Sequence, residues 1–420
     1  MNEIIQKYIA ENREKMIAFL KELIESPSSD GKQTKAQEVV QRKLEKLGFK
    51  TEVFVMDERV KDCPDYCEPD ISYGPGTYNL AGIRKKDGAK KSLMLFGHID
   101  TEVEDYFGEF DDPYKAEEKD GKIFGLGAAD DKGGIAMMLE AVEAALSIDK
   151  DLDYDLTVLS ILGKHGGAFG TLSAMMKGYS GNCSLYIHPA ETGHGFQEIK
   201  NISLGLLDMK LTVYGKPDIP HDDLSQGINA NLVMVKAIRI LEDYSNRKRE
   251  ECIFDFGSFK GQPSFILNIG SISSKGDYGT ICEEAECKIR CRFFMPLRID
   301  DVYSEIEKLL KEKLDGDWIL EKGRTLAEPA MVSNEDPFVK YVERSISEVE
   351  GNREFIHQYH GGSDVRFPIL YGNSRCVGIG PYCELPLKNS GNKEWIDIDN
   401  YLKGIAILTT IMLNYGKEDL

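Results

Sequence analysis

Histidine is scarce in this chain, with seven in 420 residues, yet three of the seven stand directly after apolar runs that read as β-strands. The run at 92–96 leads into Gly97-His98-Ile99-Asp100. The run at 156–162 leads into Gly163-Lys164-His165-Gly166-Gly167, and the run at 183–187 into His188-Pro189-Ala190-Glu191. A fourth polar segment, Asp130-Asp131-Lys132-Gly133-Gly134, opens a strongly periodic apolar helix. In open α/β sheets ligands bind beyond the carboxyl ends of the strands. Imidazole and carboxylate groups are ordinary ligands of zinc and similar divalent ions, which makes His98, Asp130, His165 and His188 a candidate ligand set. Asp100, on the same side of its strand as His98, can orient that imidazole. Glu191 is a candidate carboxylate for taking a proton from water. Any one of these histidines alone reads as a structural residue; their coincidence at several strand ends favours a ligand site.

The elements that must hold these residues alternate. The sequence predicts helices to about Glu25 and over 35–47, the latter stopped by Gly48, then strands at 50–56, 77–85 and 92–100. A polar loop is expected over 102–122, and a helix over 134–148. Strands over 156–163 and 183–190 flank a helix over 171–179. This alternation predicts an α/β layer with a largely parallel sheet. From about Asn201 to Leu326 the pattern becomes long alternating strands with two helices, as in a separate α+β unit, and the α/β pattern then resumes with helices over 337–351 and 398–415. The expected organisation is a core domain, 1–200 and 327–420, interrupted by an inserted domain at 201–326.

Composition narrows the partners. A net charge of -19 repels nucleic acid and anionic lipid, so neither is expected as a partner. No apolar run approaches the roughly 20 residues that span a bilayer. The amphipathic N-terminus lacks the apolar stretch of a signal peptide. Nine cysteines, an odd number without paired CxxC spacing, fit reduced thiols in a cytoplasm rather than a metal cluster. Cys287 and Cys291 are expected to share one face of a strand.

These motifs carry a family resemblance. Phe96-Gly97-His98-Ile99-Asp100 resembles the GHxD motif of the M20 family of zinc peptidases and deacylases, and residues 111–134 resemble its second motif nearly throughout. The stretch from Gly215 through His221 to Gly227-Ile228-Asn229-Ala230 is similar to the G…H…GxNA segment of the family's lid or dimerisation domain. His360-Gly361-Gly362-Ser363-Asp364 resembles its late HGG[ST]D motif. The resemblance runs along essentially the whole chain. It implies a zinc-exopeptidase-like three-layer α/β catalytic domain with an inserted α+β lid, and a homodimer formed through that lid. It further implies two zinc ions, with His98 on one and Asp130 bridging both, a carboxylate that takes the proton of the attacking water, and His221 stabilising an oxyanion. Polar groups around the lid and the HGGSD loop, Asn229 and Ser363 among them, would meet the substrate. Arg292 and Arg366 are candidates for its carboxylate, because a guanidinium pairs bidentately with one.

The chain departs from the family where the chemistry is concentrated. Lys164-His165 stands where two adjacent glutamates, base and ligand, are usual. His188-Pro189 replaces an acid-Pro pair. The loop that supplies the last histidine ligand reads Leu387 to Trp395 with no histidine, leaving Asn389 as the nearest equivalent. Replacing two acids by imidazoles removes two negative charges and weakens the hold on two dications. One divalent ion, zinc by its ligand types, held by His98, Asp130 and His188, is therefore expected; a second site would have Asp130, His165 and Asn389. Lys164 can serve as a neutral amine base if burial beside a cation deprotonates it, can stabilise an oxyanion, can exclude a metal, or can mark the loss of hydrolysis. The expected function is metal-dependent hydrolysis of an amide bond in an N-acyl amino acid or small peptide. The alternative is a non-hydrolytic relative, either a ligand-binding pseudoenzyme or a protein using Lys164 for different chemistry on an amino-acid-like ligand.

Overall fold

The computed structural model describes residues 2–420 apart from 30, 69–75, 105–110, 165–166, 191–192, 218–226, 257–258 and 385–392. Its first helix, Asn2–Ile24, buries Ile5, Ile9, Met16, Ile17, Leu20, Leu23 and Ile24, the stripe that helical periodicity draws on one face. The helix Thr34–Lys46 ends as Gly48 takes a φ of 81°, a left-handed conformation that glycine adopts without strain. The helices Asn2–Ile24, Lys132–Ile148 and Ile398–Tyr415 pack together over the main core.

Among the described residues twelve strands join in one sheet. Its centre is parallel: Ser92–His98 lies between Asp155–Ile161 and Cys183–Ile187, and Arg375–Ile379 continues beyond the latter. Parallel strands release their carboxyl ends along one edge, so His98, Lys164 and His188 emerge on the same side of the sheet. The sheet is more mixed than the sequence predicts. Lys50–Phe54 and Asn79–Arg84 at its margin are antiparallel, and Lys50–Phe54 is mostly exposed or half-buried, a situation that antiparallel strands tolerate better.

The strand Glu198–Tyr214 is the longest among the described residues at 17 residues. It pairs in parallel with Ile356–Gly361 near its start and antiparallel with Glu284–Phe293 and Trp318–Ala327 further along. Sequence patterning places its start near Leu204, because Lys200, Asn201 and Ser203 interrupt the apolar signal; all three are buried in the main sheet. The strand Trp318–Ala327 also escapes pattern reading, its exposed face carrying charged residues. The predicted loop at 102–122 contains a short strand, Glu117–Lys119, that joins Lys122–Phe124, Trp395–Asp397 and Cys383–Glu384 in a second, four-stranded sheet.

A second core cluster draws on Leu207, Met209, Leu211 and Val213 of the long strand, with the helices Ala230–Glu251 and Ile299–Lys313. Cys287 and Cys291 are both fully buried within it, on one face of Glu284–Phe293 as the spacing predicts. No helix among the described residues is long and apolar enough to cross a membrane.

Candidate metal centre

His98 is the last residue of its strand and is fully buried. Its Nδ1 lies 3.0 Å from the backbone carbonyl of Asp100 and 3.6 Å from the Asp100 carboxylate. Its Nε2 lies 2.8 Å from Oδ1 of Asp130. His188, just beyond Cys183–Ile187, brings its own Nε2 to 3.2 Å from the same Oδ1. One donor atom from each of His98, Asp130 and His188 lies within 4.8 Å of the others. Two imidazoles and a carboxylate at that spacing fit one divalent ion of the zinc type. Burial works against the Asp130 charge, yet the His188 and His98 rings overcome it and hold this carboxyl well below its usual range. Burial likewise disfavours the His98 imidazolium, but Asp130 and Asp100 outweigh it and raise this ring well above the ordinary histidine value.

The loop that carries Asp130 is held from two sides. Glu394, fully buried, accepts backbone N–H bonds from Gly127 at 2.7 Å, Ala129 at 2.7 Å and Asp130 at 2.8 Å. On the other side, Oδ2 of Asp131 accepts the backbone N–H of His98 at 3.2 Å. The Asp131 carboxyl fills a slot that two glycines leave open. A Cβ at Gly97 would lie 2.7 Å from its Oδ2, and one at Gly134 would lie 2.1 Å from its Oδ1.

Burial pushes the Glu394 carboxyl up to about 7 against the pull of its three amide partners. A carboxyl whose pKa is raised on folding keeps its proton in the native state while the unfolded chain gives it up, so stability falls between the two values. The metal-free protein is therefore expected to lose stability as pH rises from about 4.5 towards 7, on the order of 3 kcal/mol from this group. Urea midpoints across that range check it: Glu394→Gln should remove this part of the slope, and an unchanged slope would refute the assignment.

Lys164 leaves the end of Asp155–Ile161 and places Nζ 3.1 Å from Oδ1 of Asp364, which is fully buried. Thr171 donates its hydroxyl to the other oxygen of Asp364 at 2.5 Å. Burial alone would raise the Asp364 carboxyl, but the Lys164 ammonium, the Arg366 guanidinium, the Thr171 hydroxyl and the His98 ring hold it below its ordinary value. An ammonium engaged in this way is a donor with no lone pair. Lys164 also lines a cavity of about 270 Å³ together with Arg324, Thr325, Leu206, Gly362 and Arg366.

Arg366 is 2% exposed, with Nε 3.0 Å from Asp65 and Nη1 2.6 Å from the carbonyl of Gly362, so its guanidinium is largely turned to internal partners. Ser363 is buried at the turn beside it. Asn229 caps the helix Ala230–Glu251 by accepting the backbone N–H of Asn231 at 3.0 Å. Arg292 is exposed on the strand Glu284–Phe293, opposite Leu206 of the cavity wall. His165, Glu191, His221 and Asn389 lie outside the described residues. Sequence reasoning missed Lys200, Arg324 and the internal partner of Lys164. Lys200 sits in a strand with no chemical motif, and Arg324 in a strand that pattern reading did not detect.

Comparison with known proteins adds to this geometry. The model of peptidase family M20/M25/M40 matches residues 94–414, well over half of the chain. A stretch of 187 residues, 43% of this chain, is 30% identical to N-formyl-4-amino-5-aminomethyl-2-methylpyrimidine deformylase of Bacillus subtilis, and the match spans only 40% of that relative's length. Succinyl-diaminopimelate desuccinylase of Hahella chejuensis is 26% identical over 374 residues, covering 86% of this chain and 87% of that one. Among solved structures, the aminopeptidase PepT of Bacillus cereus superposes with a TM-score of 0.73 at 20% identity, covering 97% of this chain and 99% of that one, a likeness of fold.

Proposed function

The chain belongs to peptidase family M20/M25/M40, a family of metal-dependent hydrolases, and from that premise we propose that it hydrolyses the amide bond of an N-acyl amino acid or small peptide with one divalent ion, zinc by its donor set. The observation that carries this reading is the convergence of His98 Nε2 and His188 Nε2 on a single oxygen of Asp130 at the carboxyl ends of neighbouring strands. The relatives named above point the same way, since a deformylase and a desuccinylase both cleave an acyl group from nitrogen.

When bound, a divalent ion polarises a carbonyl oxygen and lowers the pKa of water. The chain's own residues do the rest. The carbonyl of Asp100 fixes the His98 ring, and Glu394 and Asp131 fix the loop that presents Asp130. Lys164, held by Asp364 at the cavity, donates hydrogen bonds to an oxygen that gains charge in the reaction. Arg324 adds its guanidinium to the Lys164 ammonium and the Arg366 guanidinium as a further cation lining the same cavity, which suits a substrate bearing a carboxylate. In this reading Glu191 takes the proton of water, His221 helps hold the oxyanion, and residues 201–326 cover the cleft and pair two chains. A reducing cytoplasm suits the nine free cysteines.

A second reading, a relative that binds its ligand without hydrolysing it, is favoured by one observation: the Lys164–Asp364 ion pair stands where the family has its base. Metal analysis joined to an amidase screen over N-acetyl and N-succinyl amino acids and dipeptides separates the two. One ion per chain with turnover is the expected result. Two fully occupied zinc sites would sink the single-ion assignment, and a metal-free protein without turnover would favour the second reading. Lys164→Met is expected to lower kcat by about 100-fold while the ion stays bound. An unchanged kcat would remove Lys164 from the chemistry.

A further inference from the structure

The two imidazoles of the centre share a carboxylate oxygen but are backed by opposite kinds of group. His98 turns Nδ1 to a carbonyl oxygen, that of Asp100, at 3.0 Å. A carbonyl only accepts, so Nδ1 carries a hydrogen, which leaves Nε2, 2.8 Å from Asp130, as the nitrogen whose lone pair an arriving ion would take. That is the arrangement a metal-binding histidine ordinarily has, its second nitrogen donating to a carbonyl, a carboxylate or water. His188 turns Nδ1 to the amino group of Lys200 at 3.0 Å. A lysine ammonium has three donors and no acceptor, so here Nδ1 must supply the lone pair. A neutral imidazole has one ring hydrogen, and in His188 it is then left on Nε2, the atom that points at Asp130 at 3.2 Å.

We infer that Lys200 is a positioning residue that holds His188 in the form with hydrogen on Nε2, so that the metal-free centre is a closed hydrogen-bonded state competing with the ion. This rests on the reading of His98, Asp130 and His188 as a metal centre. Lys200 is 2% exposed and bonds the carbonyl of Pro189 as well, so its cationic head is fixed beside the ring rather than dissolved in water. For His188 to ligate through Nε2, its hydrogen must move to Nδ1, which leaves the number of protons unchanged. Lys200 must then release the ring. The carboxylate of Glu198, 3.9 Å from Nζ, is at hand to receive the displaced ammonium. The positive charge of Lys200 behind the ring further opposes a dication in front of it. The pair therefore turns one of three ligands into a conditional one, and leaves His98 and Asp130 as the standing half of the site.

The test uses full-length protein stripped of metal. Titration with zinc alone should show Lys200→Met binding at least about tenfold more tightly than the unaltered protein, the scale on which partners behind a ligand act. Long-range proton–nitrogen NMR of histidine-labelled, metal-free protein should find the His188 hydrogen on Nε2, and Lys200→Met should move it towards Nδ1. Equal or weaker zinc binding by Lys200→Met overturns the inference, as does a hydrogen already on Nδ1 in the unaltered protein. Should Lys200→Met fail to fold, Lys200→Gln, whose amide oxygen can accept from Nδ1, is expected to tighten binding in the same direction, and the NMR experiment needs no variant. If neither protein takes up zinc, the metal reading itself falls and takes this inference with it. If both bind equally, only the inference falls.

Discussion

His98→Ala is expected to release the ion and to lower kcat/KM on any amide substrate by on the order of 1000-fold or more. The reason is the asymmetry of the centre. His98 is fully buried, its ring is pinned by the carbonyl of Asp100, and its Nε2 stands 2.8 Å from Asp130. Without it the ion keeps Asp130 and a His188 whose ring nitrogen is engaged by Lys200. Two ligands, one of them compromised, do not hold a dication against solvent. Metal content by mass spectrometry, read beside the kinetics and a circular-dichroism check on folding, decides the matter. An ion retained at full occupancy with kcat unchanged would mean that the catalytic metal, if any, lies elsewhere.

Asp65→Ala is expected to cost about 4 kcal/mol of stability, because it strips the partner from a buried guanidinium. Asp65 is fully buried, receives Arg366 Nε at 3.0 Å and the Tyr371 hydroxyl at 2.7 Å, and accepts the backbone N–H of Glu328 at 2.6 Å. It therefore ties together three stretches of chain, the turn after Glu58–Asp62, the helix Arg366–Tyr371 and the segment where the chain returns to the main sheet. A fall in the urea midpoint with the metal content unchanged is the expected outcome. A loss below about 1 kcal/mol would show that Arg366 does not depend on Asp65. That result would return Arg366 to the candidates for holding a substrate carboxylate.

Much of the framework was legible because its signals are local. The helix Ile398–Tyr415 and the strand Ser92–His98 announce themselves through their own periodicity. The strand ends that gather His98 and His188 follow from the rule that parallel strands release ligand groups on one side. What was hidden depends on partners distant in the chain. Nothing near Lys164 says that Asp364 will meet it, and so four readings of that lysine stay open until the fold joins them. Lys200 looks like a solvated charge within a polar interruption, yet it is buried behind His188. Arg366 has the residue type for carboxylate recognition, but Asp65 lies 301 positions away and occupies it.

The slot around Asp131 has a historical consequence. Gly97 belongs to one motif and Gly134 to another, yet the two are fitted to opposite oxygens of the same carboxyl. Neither can acquire a side chain by a single replacement unless Asp131 shrinks or withdraws, and that in turn releases the backbone of His98. A lineage drifting away from ordinary family chemistry would find this route closed, because every first step along it damages the ligand loop. Lys164 and His188 are not bound into this mutual fit, since each follows the end of its own strand. Replacements at the strand ends therefore leave this wedge of glycine and aspartate as it is, and the loop of Asp130 stays locked to the strand of His98.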